Sequence, residues 1–363
     1  MTIKVLIVDD MATYRSIIAR SLAQIDGVEV VGKVSNGKKA LEFLNNQKVD
    51  LITLDVEMPV MDGLATLKTL RDRNHRAEVV MVSGLSEQAA SLTIKCLELG
   101  ALDFVLKPQT DSFVENQIQL VESLKKIVAN LSRPSANRRR LAPTKPRTAT
   151  PRPASPLKKR SARGLLGRPK ICLIGISTGG PRALAEVFEQ LKGPLPFPIV
   201  IVQHMPPKFT ASLAQNLDRK GPLSVVEAQD GDVLERDKAY IAPGGSHLVI
   251  MRDPDFGMLL ATNQKPPVNS CRPSVDVLFE SAAGFYRRGE VVCLIMTGMG
   301  KDGAIGAKTL SDKGAYVAIQ SEQTSTIYGM PKSVEELGVQ DEILDLQDIA
   351  SFIMRVGQVH QGR

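Results

Sequence analysis

Leu51-Ile52-Thr53-Leu54-Asp55-Val56-Glu57-Met58-Pro59 reads as a short β-rich strand that ends in an acid and then turns. Residues 3–8, 28–31, 79–82 and 104–106 repeat the apolar run, and amphipathic helical patterns lie between them. Five such βα units predict a parallel, doubly wound sheet. The pattern returns at residues 171–176 and 198–202, passes a hairpin-like region over 238–262, and resumes at 291–297 and 315–319. Helical patterns over 181–191, 274–287 and 303–313 fall between these strands. The expected fold class is therefore α/β, with two doubly wound, mostly parallel-sheet domains over residues 1–130 and 169–363.

The intervening residues 131–168 have a different composition. Between Arg133 and Lys170 there are 13 Lys or Arg and no Asp or Glu, so the net charge of +7 becomes −6 over the rest of the chain. A stretch rich in Pro, Ser, Thr and Ala, with so little to bury, cannot offset its ordering entropy and is expected to be an extended, self-repelling, disordered basic linker. Docking to an acidic partner or membrane surface is the functional alternative. The charge lies in this connector, and no helix-turn-helix follows it, so a nucleic-acid partner is not expected. No apolar run is long enough to span a bilayer and the N-terminus lacks a signal peptide's order, so the expected compartment is cytoplasmic, without membrane insertion. Cys96, Cys172, Cys271 and Cys293 are far apart with no CxxC pair, which suggests neither a zinc site nor a disulfide framework. Buried thiols are expected.

In an open parallel sheet, ligands bind beyond the carboxyl ends of the strands. Asp9 and Asp10 end the first strand, Asp55 the third, Ser83 the fourth and Lys107 the fifth. Three converging carboxylates call for a hard cation, Mg²⁺ being the natural one. With a hydroxyl and an ammonium beside them, they suit a phosphoryl group carried on a carboxylate. The runs Val8-Asp9-Asp10, Leu54-Asp55-Val56-Glu57-Met58-Pro59, Ser83-Gly84 and Asp103-Phe104-Val105-Leu106-Lys107-Pro108 resemble the signature of a two-component receiver domain. That resemblance implies phosphorylation of Asp55 by a histidine kinase. It also implies Mg²⁺ held by Asp10, Asp55 and the Glu57 carbonyl beside Asp9, with Ser83, Phe104 and Lys107 as the switch residues.

Gly175-Ile176-Ser177-Thr178-Gly179-Gly180 follows an apolar strand and precedes a helix opened by Pro181. It fits G-x-S-x-G, whose glycines permit the tight turn that exposes a serine near free N–H groups. A serine needs a base. His75 lies in the first domain and His360 in the tail. His204 ends the strand over 198–202 and is the expected base, with His247 the alternative or a substrate contact. Asp302, in Thr297-Gly298-Met299-Gly300-Lys301-Asp302-Gly303, is the candidate carboxylate that orients the imidazole.

These motifs, with Gln203-His204-Met205-Pro206, Ala242-Pro243-Gly244-Gly245-Ser246-His247 and Arg272-Pro273-Ser274-Val275-Asp276-Val277-Leu278-Phe279, resemble the catalytic domain of the chemotaxis protein-glutamate methylesterases. The resemblance implies hydrolysis of glutamate γ-methyl esters on the cytoplasmic helices of chemoreceptors, with release of methanol, and deamidation of receptor glutamines. No cofactor is implied for the hydrolase. Ser177 is the implied nucleophile, His204 the proton shuttle and Asp302 its support. Backbone N–H groups near Thr178 and Met299 are candidate oxyanion donors, and Arg272 is a candidate contact for an acidic receptor surface, a structural salt bridge being its alternative. The two halves together predict that the unphosphorylated receiver covers the Ser177 crevice and that phosphorylation at Asp55 loosens or reorients it. A receiver with a catalytically dead binding output is the competing reading, and intact Ser177, His204 and Asp302 argue against it.

Overall fold

The computed structural model describes residues 2–107, 113–131 and 168–358. The disordered linker expected over 131–168 falls almost wholly outside them, as does His360.

The first domain alternates β1 (Ile3–Val8), α1 (Ala12–Leu22), β2 (Val28–Val34), α2 (Gly37–Asn46), β3 (Leu51–Asp55), α3 (Gly63–Asp72), β4 (Glu78–Ser83), α4 (Glu87–Glu98), β5 (Asp103–Leu106) and α5 (Phe113–Leu131). The sheet order is β2-β1-β3-β4-β5, parallel throughout. β3 is buried along its whole length because helices cover both faces. Side-chain caps start three of the helices at the loop ends: Asn36 accepts from the Lys39 N–H, Asp62 from Ala65 and Ser86 from Ala89. Each cap satisfies a backbone donor that the helix itself leaves free.

The second domain runs β6 (Ile171–Ile176), α6 (Gly180–Gln190), β7 (Ile199–Gln203), α7 (Phe209–Asp218), β8 (Ser224–Glu227), β9 (Lys238–Ile241), β10 (His247–Asp253), β11 (Gly257–Asn263), α8 (Val275–Ala283), β12 (Val291–Ile295), α9 (Ala304–Asp312), β13 (Tyr316–Gln320), α10 (Met330–Leu337), β14 (Glu342–Leu344) and α11 (Leu346–Gln358). Seven strands form a parallel sheet in the order β14-β13-β12-β6-β7-β9-β8. The hairpin expected over 238–262 is corrected in one respect. β9 leaves it and pairs in parallel with β7 and β8, and the antiparallel hairpin is β10 with β11 alone. The cause is burial. Ala239, Tyr240 and Ile241 are fully buried, which an isolated two-stranded hairpin cannot provide.

The two domains pack together. α4 lies against α6 and α7, and one cluster of buried apolar residues includes Ile94 and Leu97 of the first domain with Leu213, Ala214 and Leu217 of the second. Phe104 stacks on Phe209, with ring centroids 4.5 Å apart and planes 11° from parallel. Lys220 reaches Glu98 across the same junction at 3.6 Å.

Candidate active site and its acidic regulator

At the carboxyl edge of the first sheet, Asp9, Asp10 and Asp55 each offer an oxygen within 4.8 Å of the others. Lys107 Nζ lies 2.6 Å from Asp55 and 3.2 Å from Asp9. Burial pushes the Asp55 carboxyl up to about 6, and the Lys107 ammonium offsets this only in part. Asp9 is raised for the same reason, and its buried Oδ2 meets the Lys107 ammonium at 3.2 Å. Burial would lower Lys107, but its bonds to Asp55 and Asp9 outweigh that and raise it. Three clustered carboxylates facing one ammonium leave negative charge in excess, a donor set that fits a hard divalent cation. The Glu57 N–H donates to Asp55 Oδ1 at 3.4 Å, and its side chain is exposed. Ser83 is fully buried, 2.8 Å from the Thr93 hydroxyl.

In the second domain, β6 and β7 pair in parallel with Ile176 opposite Gln203, so the next residue of each strand, Ser177 and His204, emerges at one edge. The His204 N–H donates to the Ile176 carbonyl at 3.2 Å, and Gln203 Nε2 donates to the Ser177 carbonyl at 3.0 Å. These bonds fix the backbones that carry Ser177 and His204. Gly298 lies against Ser177: a Cβ there would be 2.8 Å from the Ser177 Cβ and 2.4 Å from Met330 Sδ. Gly179 takes φ +80°, which opens the turn into α6.

His204 Nε2 meets Asp302 Oδ2 at 2.8 Å. Asp302 is buried and also accepts from Ser274 Oγ at 2.7 Å, the Val275 N–H at 2.6 Å and Asn269 Nδ2 at 2.9 Å. Burial alone would raise this carboxyl, yet the His204 and Ser274 bonds prevail and hold it at about 2. Burial would lower His204, but the bonds to Asp302 and Cys271 outweigh it and raise the imidazole to about 9. The other ring nitrogen, Nδ1, faces Cys271 Sγ at 3.6 Å. No hydrogen bond joins the Ser177 hydroxyl to His204 among the described residues. Thus the fold brings together His204 and Asp302, and sets Ser177 on the neighbouring strand end without closing the last contact.

The Thr178 hydroxyl donates to Asp103 Oδ2 at 2.7 Å, a bond from the second domain to the first. The backbone N–H groups of Thr178 and Met299 have no acceptor among the described residues. His247 is fully buried. Its Nδ1 accepts from the Ser274 N–H at 3.2 Å and its Nε2 lies 3.1 Å from the Pro266 carbonyl, which places it behind the catalytic loop rather than at a substrate surface. Arg272 donates from Nη1 to the carbonyls of Gln264 and Lys265 at 3.1 and 3.2 Å, clamping the loop after β11, and makes no salt bridge among the described residues. Asn269, Ser274 and Phe209 were not singled out by the sequence, and Cys271, expected to be a buried thiol, is partly exposed. Only Ser274 carried a signal, from its place in the Arg272-Pro273-Ser274 run.

An acidic sheet edge that fits a divalent cation, hydrogen-bonded to a crevice holding Ser177, His204 and Asp302, has the architecture of a response regulator with an enzymatic output. The receiver family of response regulators matches residues 5–119, and the CheB methylesterase family matches residues 172–353. The chain belongs to the CheB methylesterase family. It is 43% identical over 99% of both chains to a protein-glutamate methylesterase/protein-glutamine glutaminase of Desulfotalea psychrophila. It is 41% identical to a protein of the same name from Geobacillus kaustophilus, covering 98% of this chain and 99% of the relative. Among solved structures, the Thermotoga maritima CheB methylesterase catalytic domain superposes with a TM-score of 0.50 at 39% identity, covering 52% of this chain and 98% of that one. No described helix is long and apolar enough to cross a membrane.

Proposed function

We propose that this chain is a phosphorylation-regulated, cytoplasmic serine hydrolase that demethylates glutamate γ-methyl esters on the cytoplasmic helices of chemoreceptors and deamidates receptor glutamines. In this reading residues 1–130 are the receiver, 131–168 the connector and 169–363 the hydrolase. The observation that carries it is the 2.8 Å bond between His204 and Asp302 beside the strand end that bears Ser177.

Ser177 Oγ attacks the ester carbonyl carbon as His204 Nδ1 takes its proton. Asp302 steadies the imidazolium through Nε2. This is the reverse of the usual arrangement, in which the carboxylate holds Nδ1 and the serine meets Nε2. The uncommitted N–H groups of Thr178 and Met299 are suited to the oxyanion, one such donor being worth roughly 3 kcal/mol. The imidazolium returns its proton to the leaving oxygen, methanol departs, and water hydrolyses the acyl-enzyme by the same proton path. The hydrolase half needs no cofactor for these steps.

In the receiver, Asp10, Asp55 and the Glu57 carbonyl, beside Asp9, would hold Mg²⁺, which neutralises charge when Asp55 takes phosphate from a histidine kinase. Lys107 and Ser83 are placed to bind the phosphoryl oxygens. The Asp103–Thr178 bond and the Phe104–Phe209 stack support reading the docked arrangement as the resting one, with the residue after the nucleophile held by the receiver. Phosphorylation then acts by drawing Phe104 and its neighbour Asp103 away. Methanol release from methylated receptor by wild type and Ser177→Ala tests the chemistry. Only the wild type is expected to release methanol, and release by Ser177→Ala sinks the assignment.

A further inference from the structure

Three of the four cysteines are buried, and burial pushes the thiols of Cys96 and Cys172 up to about 12. Cys271 differs. It is partly exposed, and its sulfur sits 3.6 Å from His204 Nδ1, the nitrogen that Asp302 does not use. The loop that carries it is fixed at both ends. Val268 and Cys271 exchange backbone hydrogen bonds of 3.1 and 2.9 Å, and Asn269 Nδ2 bridges Asp276 Oδ2 and Asp302 Oδ1, both at 2.9 Å.

His204, Cys271 and Asp302 each offer a ligand atom within 4.8 Å of the others. Two ligands on one tetrahedral zinc, with Zn–S about 2.3 Å and Zn–N about 2.0 Å, stand about 3.5 Å apart. Cys271 Sγ and His204 Nδ1 are 3.6 Å apart, close to that separation. On its far side His204 already has the partner that metal-bound imidazoles use, a carboxylate at 2.8 Å that fixes the tautomer and strengthens the other nitrogen as a donor.

We infer that Cys271 Sγ and His204 Nδ1 form a binding site for a borderline-soft divalent cation, Zn²⁺ by its geometry, and that metal bound there holds the esterase off. Binding exchanges protons for the metal. The Cys271 thiol loses its proton to solvent as the S–Zn bond forms, the His204 imidazole, raised to about 9, gives up its Nδ1 proton to solvent as the N–Zn bond forms, and water fills the remaining positions. No electron moves. While the metal is bound, Nδ1 cannot accept the Ser177 proton. Both ligands must be deprotonated, so affinity falls as pH drops. The ordinary alternative is an S–H···N hydrogen bond of the same length.

The inhibitory half rests on His204 being the esterase base, but metal binding does not, so the two are read separately. Co²⁺ titrated into the full chain reports binding directly. Wild type is expected to show a near-ultraviolet thiolate-to-cobalt absorption that saturates at one equivalent and disappears on adding Zn²⁺. Cys271→Ser, a near-isosteric change at a partly exposed position, is expected to lack it. Asp302→Asn is expected to keep the absorption at about 10- to 100-fold weaker cobalt affinity. Absence of the absorption in wild type, or its persistence in Cys271→Ser, overturns the site. In the methanol assay, Zn²⁺ is expected to inhibit wild type reversibly on chelation, with Cys271→Ser needing at least about 10-fold more metal relative to its own uninhibited rate. Equal inhibition of both overturns the regulatory claim. If no form releases methanol, the esterase reading fails while the cobalt result stands.

Discussion

Thr178, the residue after Ser177, donates a 2.7 Å hydrogen bond to Asp103, the residue before Phe104. Asp55 is thereby linked to Ser177 through its 2.6 Å bond to Lys107, the short run from Lys107 back to Asp103, and the Asp103–Thr178 bond between domains. Burial raises the Asp103 carboxyl, and its bond from Thr178 opposes that rise. The bond therefore favours the charged form of Asp103 in a setting that otherwise disfavours it.

The aromatic stack on the same junction supplies a first prediction. Phe209 is fully buried where Phe104 covers it, so replacement by alanine would empty a core position. Phe209→Leu keeps most of the volume and removes the ring pair, worth about 0.5–1.5 kcal/mol beyond its area. Methanol release without a phosphodonor is expected to rise several-fold, and the phosphorylated rate to change little. An unchanged basal rate counts against the stack as part of the lock.

A base works only when unprotonated, and His204 is raised to about 9, because its bonds to Asp302 and Cys271 overcome the lowering effect of burial. Methanol release by the activated enzyme is therefore expected to climb with pH through neutrality and level off near pH 9. Asp302→Asn removes the largest raising cause. Its rising limb should move toward the acid side while the maximal rate falls by about 10⁴-fold. A limb that stays in place contradicts the assignment of His204 as base.

Asp302 is held at about 2, below the ordinary 3.8, so its contribution to stability is present above pH 3.8 and is lost as pH falls toward 2. Ser274 supplies one of the bonds responsible, at 2.7 Å. Ser274→Ala is expected to cost about 1.5–3 kcal/mol at neutral pH, the worth of a hydrogen bond to a charged group. Thermal unfolding followed against pH should show the gap narrowing between pH 4 and pH 2. A constant gap would mean that Ser274 acts by packing alone.

Lys107 is the counter-ion of two buried carboxylates, at 2.6 Å from Asp55 and 3.2 Å from Asp9. Removing one partner from a buried ion pair costs about 3–5 kcal/mol. Lys107→Ala is thus expected to unfold its receiver at a lower temperature in a chelator, and to bind Mg²⁺ more tightly than wild type, as the acids then depend on the metal for compensation. Calorimetry with and without Mg²⁺ reads both effects. Equal Mg²⁺ affinity in the two proteins would place the cation away from Asp9 and Asp55.

What was legible in the sequence was whatever depends on strand periodicity. Asp9, Asp55, Ser83 and Lys107 could be placed at one edge because each follows a short apolar run, and Ser177 and His204 for the same reason. The hairpin was misread because residues 238–241 and 247–253 are both short β-rich runs, and only the complete sheet shows that Tyr240 has both faces covered. The Cys271–His204 contact joins residues 67 apart in the chain through a loop with no periodicity, so no spacing rule could reveal it. Domain docking was hidden for another reason. α7 shows an apolar face like any core helix, and nothing in its sequence says that Phe209 meets Phe104 rather than its own sheet.

The claim that the receiver holds the esterase off through Asp103 is tested most directly by methanol release from methylated receptor, without a phosphodonor, comparing Asp55→Ala with Asp55→Ala/Asp103→Ala in the full chain. Losing a hydrogen bond to a carboxylate is worth about 1.5–3 kcal/mol, so the double variant is predicted to release methanol about 10- to 100-fold faster, independently of phosphorylation. A double variant as slow as Asp55→Ala, in an assay where phosphorylated wild type is fast, would contradict the account.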